Sequence, residues 1–165
     1  MIDVRLAVTD DADAISTVVC DAFTPLREHY TAEAFEVVAV KPGEVLQRFA
    51  EGPQWVALID GEIVGTVSVT VDDGRLYVRS MAVAPRDQGR GVAHKLLDAI
   101  DRYAVETDFE RIFLYTTYFT PGARELYEKH GYDWVRDTPA EEWYGVPGLE
   151  MDKRIERTKQ NVAGS

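Results

Sequence analysis

Apolar residues fall at every second position at the start of the chain, with Ile2, Val4, Leu6 and Val8 in the rhythm of a strand covered on one face. Thr9-Asp10-Asp11 then reads as a capping cluster. Ile15, Val18, Val19 and Ala22 recur at helical spacing, which predicts a helix over Ala12–Phe23 that Pro25 ends. Residues 26–49 carry one or two helical pieces split at Lys41-Pro42-Gly43. A β section follows. Trp55–Ile59 and Ile63–Val71 flank Asp60-Gly61, a dipeptide suited to a tight hairpin, and Asp72-Asp73-Gly74 turns into Leu76–Val83. These three strands are expected to form an antiparallel meander, with Ile63, Gly65, Val67, Val69 and Val71 on one face of the second.

Pro85 stops the pairing. From Val92 the apolar positions Ala93, Leu96, Leu97, Ile100, Tyr103 and Ala104 follow a helical period, so one face of this helix should pack on the sheet. Ile112–Tyr115 is the next strand. A helix links it to Leu76–Val83, so the two are expected to run parallel through a right-handed crossover. Thr120-Pro121 opens another helix that closes at Gly131. Tyr132–Val135 and Leu149–Lys153 read as the last strands, with an irregular segment at 137–148 between them and a frayed polar tail over residues 156–165. The fold class is therefore α/β (α+β): one domain over residues 1–155, a mixed sheet of six to seven strands, antiparallel in its first half, and about four helices.

Composition narrows the function. With 45% apolar and 28% charged residues in 165, the chain is that of an ordinary single domain. No apolar run is long enough to span a bilayer, and Met1–Arg5 does not open a secretory leader, so no membrane partner and a cytoplasmic location are expected. Cys20 is alone, which fits a reducing compartment. His29, His94 and His130 lack ligand spacing, so no metal is expected. The net charge of −11 argues against nucleic acid and mildly favours a cationic acceptor. Locally the balance reverses, because Ala84–Lys95 sets Arg86, Arg90 and Lys95 against Asp87 alone.

That positive segment coincides with Gln88-Gly89-Arg90-Gly91-Val92-Ala93-His94, a glycine turn between strand and helix. Unpaired N–H groups at a helix start attract a pyrophosphate. A dinucleotide reading of Gly89-x-Gly91-x-x-His94 is disfavoured by His94 at the sixth position and by Thr116-Thr117, not an acid, ending the next strand. No Gly-Lys-Ser/Thr follows, which excludes a P-loop.

Taken as Gln88-x-x-Gly91-x-Ala93, the turn resembles the acyl-coenzyme A motif of the GNAT family of N-acetyltransferases. Met81–Pro85 is similar to the family's strand-to-loop entry, Ala123–Tyr132 to its helix-to-strand Leu-Tyr-Glu-Lys-x-Gly-aromatic run, and Leu149–Lys153 to its last strand. The opening, with Val4–Ala7 before Asp10–Asp13, is also typical, so the likeness spans roughly residues 2–155. The resemblance implies acetyl-CoA as cosubstrate, a parallel strand pair that splays at its site, and pyrophosphate held by the amides of Gln88, Gly89, Arg90, Gly91, Val92, Ala93 and His94. Arg86 and Arg90 would add positive potential. The strand Met81-Ala82-Val83 would pair its backbone with the pantetheine arm, Thr120 takes the place of a family Asn that contacts the arm, and Tyr127 stands where the family carries its general acid.

The implied reaction is acetyl transfer to a primary amine of a small molecule or protein by direct attack in a ternary complex. A non-catalytic acyl-CoA-binding or sensing domain is the alternative, and a nucleotide-binding oxidoreductase a third. Cys20 lies on an apolar helix face with no neighbouring histidine, which gives no support to an acyl-enzyme. The strand Leu76–Val83 holds no carboxylate. Tyr77 takes the position where some family members carry a base, and Glu28, Glu141 and Glu142 lie in segments expected to border the acceptor. Residues 24–50 and 136–148 should shape that pocket, with Trp143 and Tyr144 offering aromatic faces. Acidity favours a cationic small molecule, a polyamine or a protein amine there. Edge strands near the C-terminus leave a homodimer open.

Overall fold

Alternation becomes seven strands of one mixed sheet in the computed structural model, which describes residues 1–156. They are β1 (Ile2–Leu6), β2 (Gln54–Ile59), β3 (Glu62–Asp72), β4 (Arg75–Val83), β5 (Arg111–Thr116), β6 (Asp133–Thr138) and β7 (Gly148–Arg154). Their order across the sheet is β1-β2-β3-β4-β5-β7-β6, and β4–β5 is the one parallel pair. Five α-helices are described: α1 (Ala12–Phe23), α2 (Ala32–Val38), α3 (Pro42–Arg48), α4 (Val92–Glu106) and α5 (Ala123–Lys129). Of the tail expected at 156–165, residues 157–165 lie outside the described residues.

Local chemistry sets the boundaries. The β2–β3 hairpin turns on Asp60 (φ 51°) and Gly61 (φ 78°), and β3–β4 on Asp73 (φ 52°) and Gly74 (φ 75°), the left-handed pairs whose twist matches the strands they join. Thr31 caps α2 by accepting from Ala34 N (3.1 Å), and Pro42 takes the first position of α3, so the 26–49 region divides where Pro42 predicts. β1 stops at Leu6 because the Asp11 carboxylate takes the Val8 N–H (2.8 Å) and turns the chain into α1. β6 runs on to Thr138, beyond its expected end.

Two apolar layers sandwich the sheet. On one face α4 buries Leu96, Leu97 and Ile100 against Val67, Val69, Leu76, Val78, Ile112 and Leu114. On the other, α1 and α3 bury Ile15, Val18, Val19 and Val45 against Val56 and Ala82. One expectation is corrected. Ala57 opposes Gly65 and Leu58 opposes Ile63, so Val64 is an extra residue in β3, a bulge. Gly65, Val67 and Val69 keep the α4 face, whereas Ile63 packs with the α1 layer and Val71 is exposed.

Candidate functional site

Among the described residues the only parallel pairing is short. Leu76–Val78 pairs with Ile112–Leu114, and beyond that point β4 and β5 separate. A second bulge drives the separation: Thr66 opposes Ala82 and Ser68 opposes Arg79, so Ser80 and Met81 together face Val67. Ser80 adopts φ 56°, a left-handed conformation costly to a residue with a side chain. Its hydroxyl accepts a hydrogen bond from the Arg48 guanidinium at the end of α3, which holds the bulge. Past the bulge, Ala84 N donates to Val64 O (2.8 Å), so Ala82 and Ala84 turn to β3. Alternation then aims the backbone of Met81 and Val83 at the gap that β5 has left. The Val83 carbonyl also receives Gln88 Nε2 (3.1 Å). This is an open strand edge, the kind that recognises an extended amide-bearing ligand.

The glycine turn stands at the end of that edge. Gly89 (φ 81°) and Gly91 (φ 88°) occupy conformations that favour glycine, and space in front of both is open. The first α4 bond is Lys95 N to Gly91 O (3.2 Å), so the N–H groups of Val92, Ala93 and His94 have no acceptor within the helix. Buried Asp87 ties the turn down by pairing with Arg90 (2.9 Å) and Arg86 (3.4 Å), and Arg86 also reaches Glu62 (2.7 Å). Both exposed arginines therefore pair with carboxylates, which offsets part of the positive charge at the turn. The His94 ring meets His130 (3.4 Å between Nδ1 atoms).

Where the strands part lies a cavity of about 410 Å³. Tyr127, from the α4-side core, and Arg48, from the α3 layer, both line it, so the opening crosses the sheet. Met81 and Thr120 are also in its wall. Tyr127 is 7% exposed and meets Tyr132 edge to face at 5.8 Å, and burial pushes its phenol pKa up. Thr120 shares a hydrogen bond with Thr117 (2.6 Å). Tyr30 stands in the same wall, and burial pushes its phenol up to about 12.

Segments 24–50 and 136–148 do form the outer wall, through Tyr30, Val37, Val38 and Arg48 and through Thr138, Glu142, Trp143 and Val146. The Thr31 hydroxyl, donating to Tyr144 O (2.6 Å), ties the two together, and Tyr30 meets Trp143 edge to face at 6.3 Å. Glu28, Glu141 and Tyr144 do not line this cavity. Glu142 does, but Arg136 holds it with two hydrogen bonds (2.7 and 3.0 Å), which keep its pKa below the usual carboxylate range. Tyr77 stacks on Phe113 at 5.0 Å, and burial raises its pKa too.

Arg48, Ser80, Arg79 and Tyr30 are cavity residues that the sequence reading passes over. Arg79 left a signal, a charge inside an apolar strand. Arg48 left none, since a charged residue near the end of a short helix is ordinary. Elsewhere, Asp98, Asp101 and His130 bring ligand atoms within 4.8 Å of one another, but the Lys153 ammonium already binds Asp101 (2.7 Å) and the His130 carbonyl (2.8 Å). A cation is thus supplied by the chain itself.

Among the described residues, a mixed sheet parts at its single parallel pair beside a glycine turn that opens a helix, and this is the architecture of the GNAT fold. The acetyltransferase (GNAT) family profile matches residues 23–132, and the chain belongs to that family. It is 31% identical over 99 residues to N-acetylaspartate synthetase of Homo sapiens, a match covering 59% of this chain and 32% of that protein. The chain thus spans about a third of the length of such relatives. Uncharacterized N-acetyltransferase YhfO of Bacillus subtilis is 28% identical over 144 residues, 79% of this chain and 89% of that one. The PaiA N-acetyltransferase of Thermoplasma acidophilum, solved in complex with coenzyme A, superposes with a TM-score of 0.76 at 15% identity, covering 93% of this chain and 99% of that one. A GNAT acetyltransferase of Streptococcus pneumoniae gives 0.75 at 19% identity, over 94% and 100%. These likenesses establish the fold. Among the described residues no helix is long and apolar enough to cross a membrane.

Proposed function

We propose that the protein transfers the acetyl group of acetyl-coenzyme A to a primary amine by direct attack. The observation that carries this reading is the buried Tyr127 phenol in the wall of a cavity that opens on the free edge of β4. The coenzyme's pyrophosphate would meet the N–H groups of Val92–His94, and its arm would lie along Met81 and Val83. An alkylammonium, with a pKa near 10, must first lose a proton. Glu142 is a poor base because Arg136 stabilises its anion, so that proton leaves to water in the open cavity. The amine nitrogen then bonds to the carbonyl carbon, the carbon–sulfur bond breaks as Tyr127 protonates the departing thiolate, and the surplus proton on the nitrogen passes to water, from which Tyr127 recovers its own. Burial holds the proton on Tyr127 through the neutral range, as an acid in this role requires. The volume suits a small molecule, and the likeness to N-acetylaspartate synthetase and to an N-acetyltransferase supports an amine acceptor.

The test is thiol release from acetyl-CoA across a panel of amines. Tyr127→Phe should lower turnover by about 10²-fold while acetyl-CoA still raises the melting temperature. Wild-type turnover in that variant removes Tyr127 from the mechanism. Coenzyme binding with no thiol release for any amine would instead identify a binding or sensing domain.

A further inference from the structure

We propose that the acceptor is an amine that also carries a carboxylate, which the guanidinium of Arg48, with Arg79 beside it, receives in the cavity. The proposal rests on the acetyl-transfer reading and names the other half of that reaction.

Arg48 is half-buried in the cavity wall, and its one hydrogen bond among the described residues goes to the neutral hydroxyl of Ser80. Glu51 and Glu44 act on it through space, but neither forms an ion pair with it. Glu44 accepts from Lys41 N (3.1 Å) at the start of α3, and Glu51 pairs with Arg79 (2.6 Å). Arg79 adds a second observation, because its Nε is buried with no hydrogen-bond partner. The third charge in the wall, Glu142, is offset by Arg136. In a chain of net charge −11, Arg48 stands in this cavity without an ion-pair partner among the described residues. Burial, and then the charge of Arg79, disfavour the cation at Arg48, and an incoming anion relieves both.

The anion is a carboxylate rather than a coenzyme phosphate. Arg48 belongs to the α3 layer, whereas the phosphate donors stand at the start of α4 on the other face of the sheet. One guanidinium without an ion-pair partner matches a single negative charge, and its planar fork suits the two oxygens of a carboxylate. With the carboxylate at Arg48, the amine of the same small molecule extends toward the strand gap and Tyr127.

The purified protein is assayed for acetyl-CoA-dependent thiol release with a panel of α-amino acids, each against its own α-amide and the amine left by decarboxylation. The preferred acid should exceed its amide by about 10²-fold in kcat/KM. Arg48→Gln should shrink that preference at least tenfold, mainly through KM. Ser80→Ala, which removes the hydroxyl partner and keeps the charge, should retain the preference. Binding is read separately: succinate should raise the melting temperature of the wild type but not of Arg48→Gln.

Amides or decarboxylated amines that match or exceed the acids overturn the proposal. So does an Arg48→Gln variant that loses acid and amide equally, or a Ser80→Ala variant that behaves identically, since Arg48 would then only prop the bulge. If no amine is acetylated, the transfer reading fails. Succinate stabilisation that depends on Arg48 would still uphold the carboxylate site, and its absence would sink that as well.

Discussion

Gly65 is a position where α4 lies close against the sheet, and adding one methyl group there tests how firmly the helix is seated. A Cβ at Gly65 would stand 2.7 Å from Val92 Cγ1, 3.2 Å from Leu96 Cδ1 and 3.4 Å from Ala82 O. The first distance is inside van der Waals contact. Neither neighbour has room to retreat, since Val92 is 2% exposed and Leu96 fully buried. Val92 is also β-branched and held to essentially one rotamer in a helix, so the first turn of α4 must move instead. Overpacking of this kind costs about 1–3 kcal/mol. For a domain of this size that lowers the melting temperature by roughly 2–12 °C. Val92 opens the row of N–H groups proposed to hold the pyrophosphate, so acetyl-CoA affinity should fall as well, by about tenfold. Val92→Ala alone opens a small cavity and costs about 1–3 kcal/mol. In the double variant the new methyl fills part of that space, and the two changes should fall short of additivity by at least about 1 kcal/mol. Urea unfolding of the four proteins measures the coupling, and calorimetric titration with acetyl-CoA follows the helix start. A wild-type unfolding midpoint for Gly65→Ala, or strict additivity in the cycle, would refute the close seating of α4 on Gly65.

Two further predictions rest on protonation. Asp11 accepts from both Arg5 nitrogens (2.8 and 3.1 Å) and from Val8 N, and the Arg5 hydrogen bond holds its carboxyl below the ordinary aspartate value of 3.8. A depressed folded pKa stabilises above 3.8 and loses that contribution as the pH falls through the lower folded value. Asp11→Asn should therefore cost about 1–2 kcal/mol at neutral pH, with a gap that closes in acid; a gap of constant size across a pH series of thermal melts would contradict this. The second concerns rate. kcat/KM should climb with pH as the acceptor ammonium loses its proton, and should show no descending limb below about pH 10. This follows because burial raises Tyr127 and pushes Tyr30 up to about 12. A descending limb centred near pH 10 that vanishes in Tyr127→Phe would show that the phenol titrates normally.

What the sequence discloses of this molecule follows from how local each feature is. The β2–β3–β4 meander is legible because alternation and two Asp-Gly turns lie within one stretch of chain. The glycine turn is legible because strand end, positive-φ glycines and helix start are contiguous, and the groups they present belong to the backbone. The bulge at Val64 is hidden, since Ile63, Val64 and Gly65 are all apolar or neutral and no polar residue marks the slip. The outer cavity is hidden for a different reason: its contacts join distant segments. Arg48 meets Ser80 32 positions away, and Thr31 meets Tyr144 across 113. Neither half of such a pair carries a signal by itself. The same separation bears on how the site can change. The profile match runs from 23 to 132 and stops before segment 136–148, which supplies Glu142, Trp143 and Val146 to the wall. Substitutions there can reshape the acceptor side while leaving the open edge of β4 and the start of α4 untouched, because no residue of that segment belongs to either. The acceptor is accordingly to be read from side chains gathered by the fold, with Arg48 first among them, and not from the motif that identifies the family.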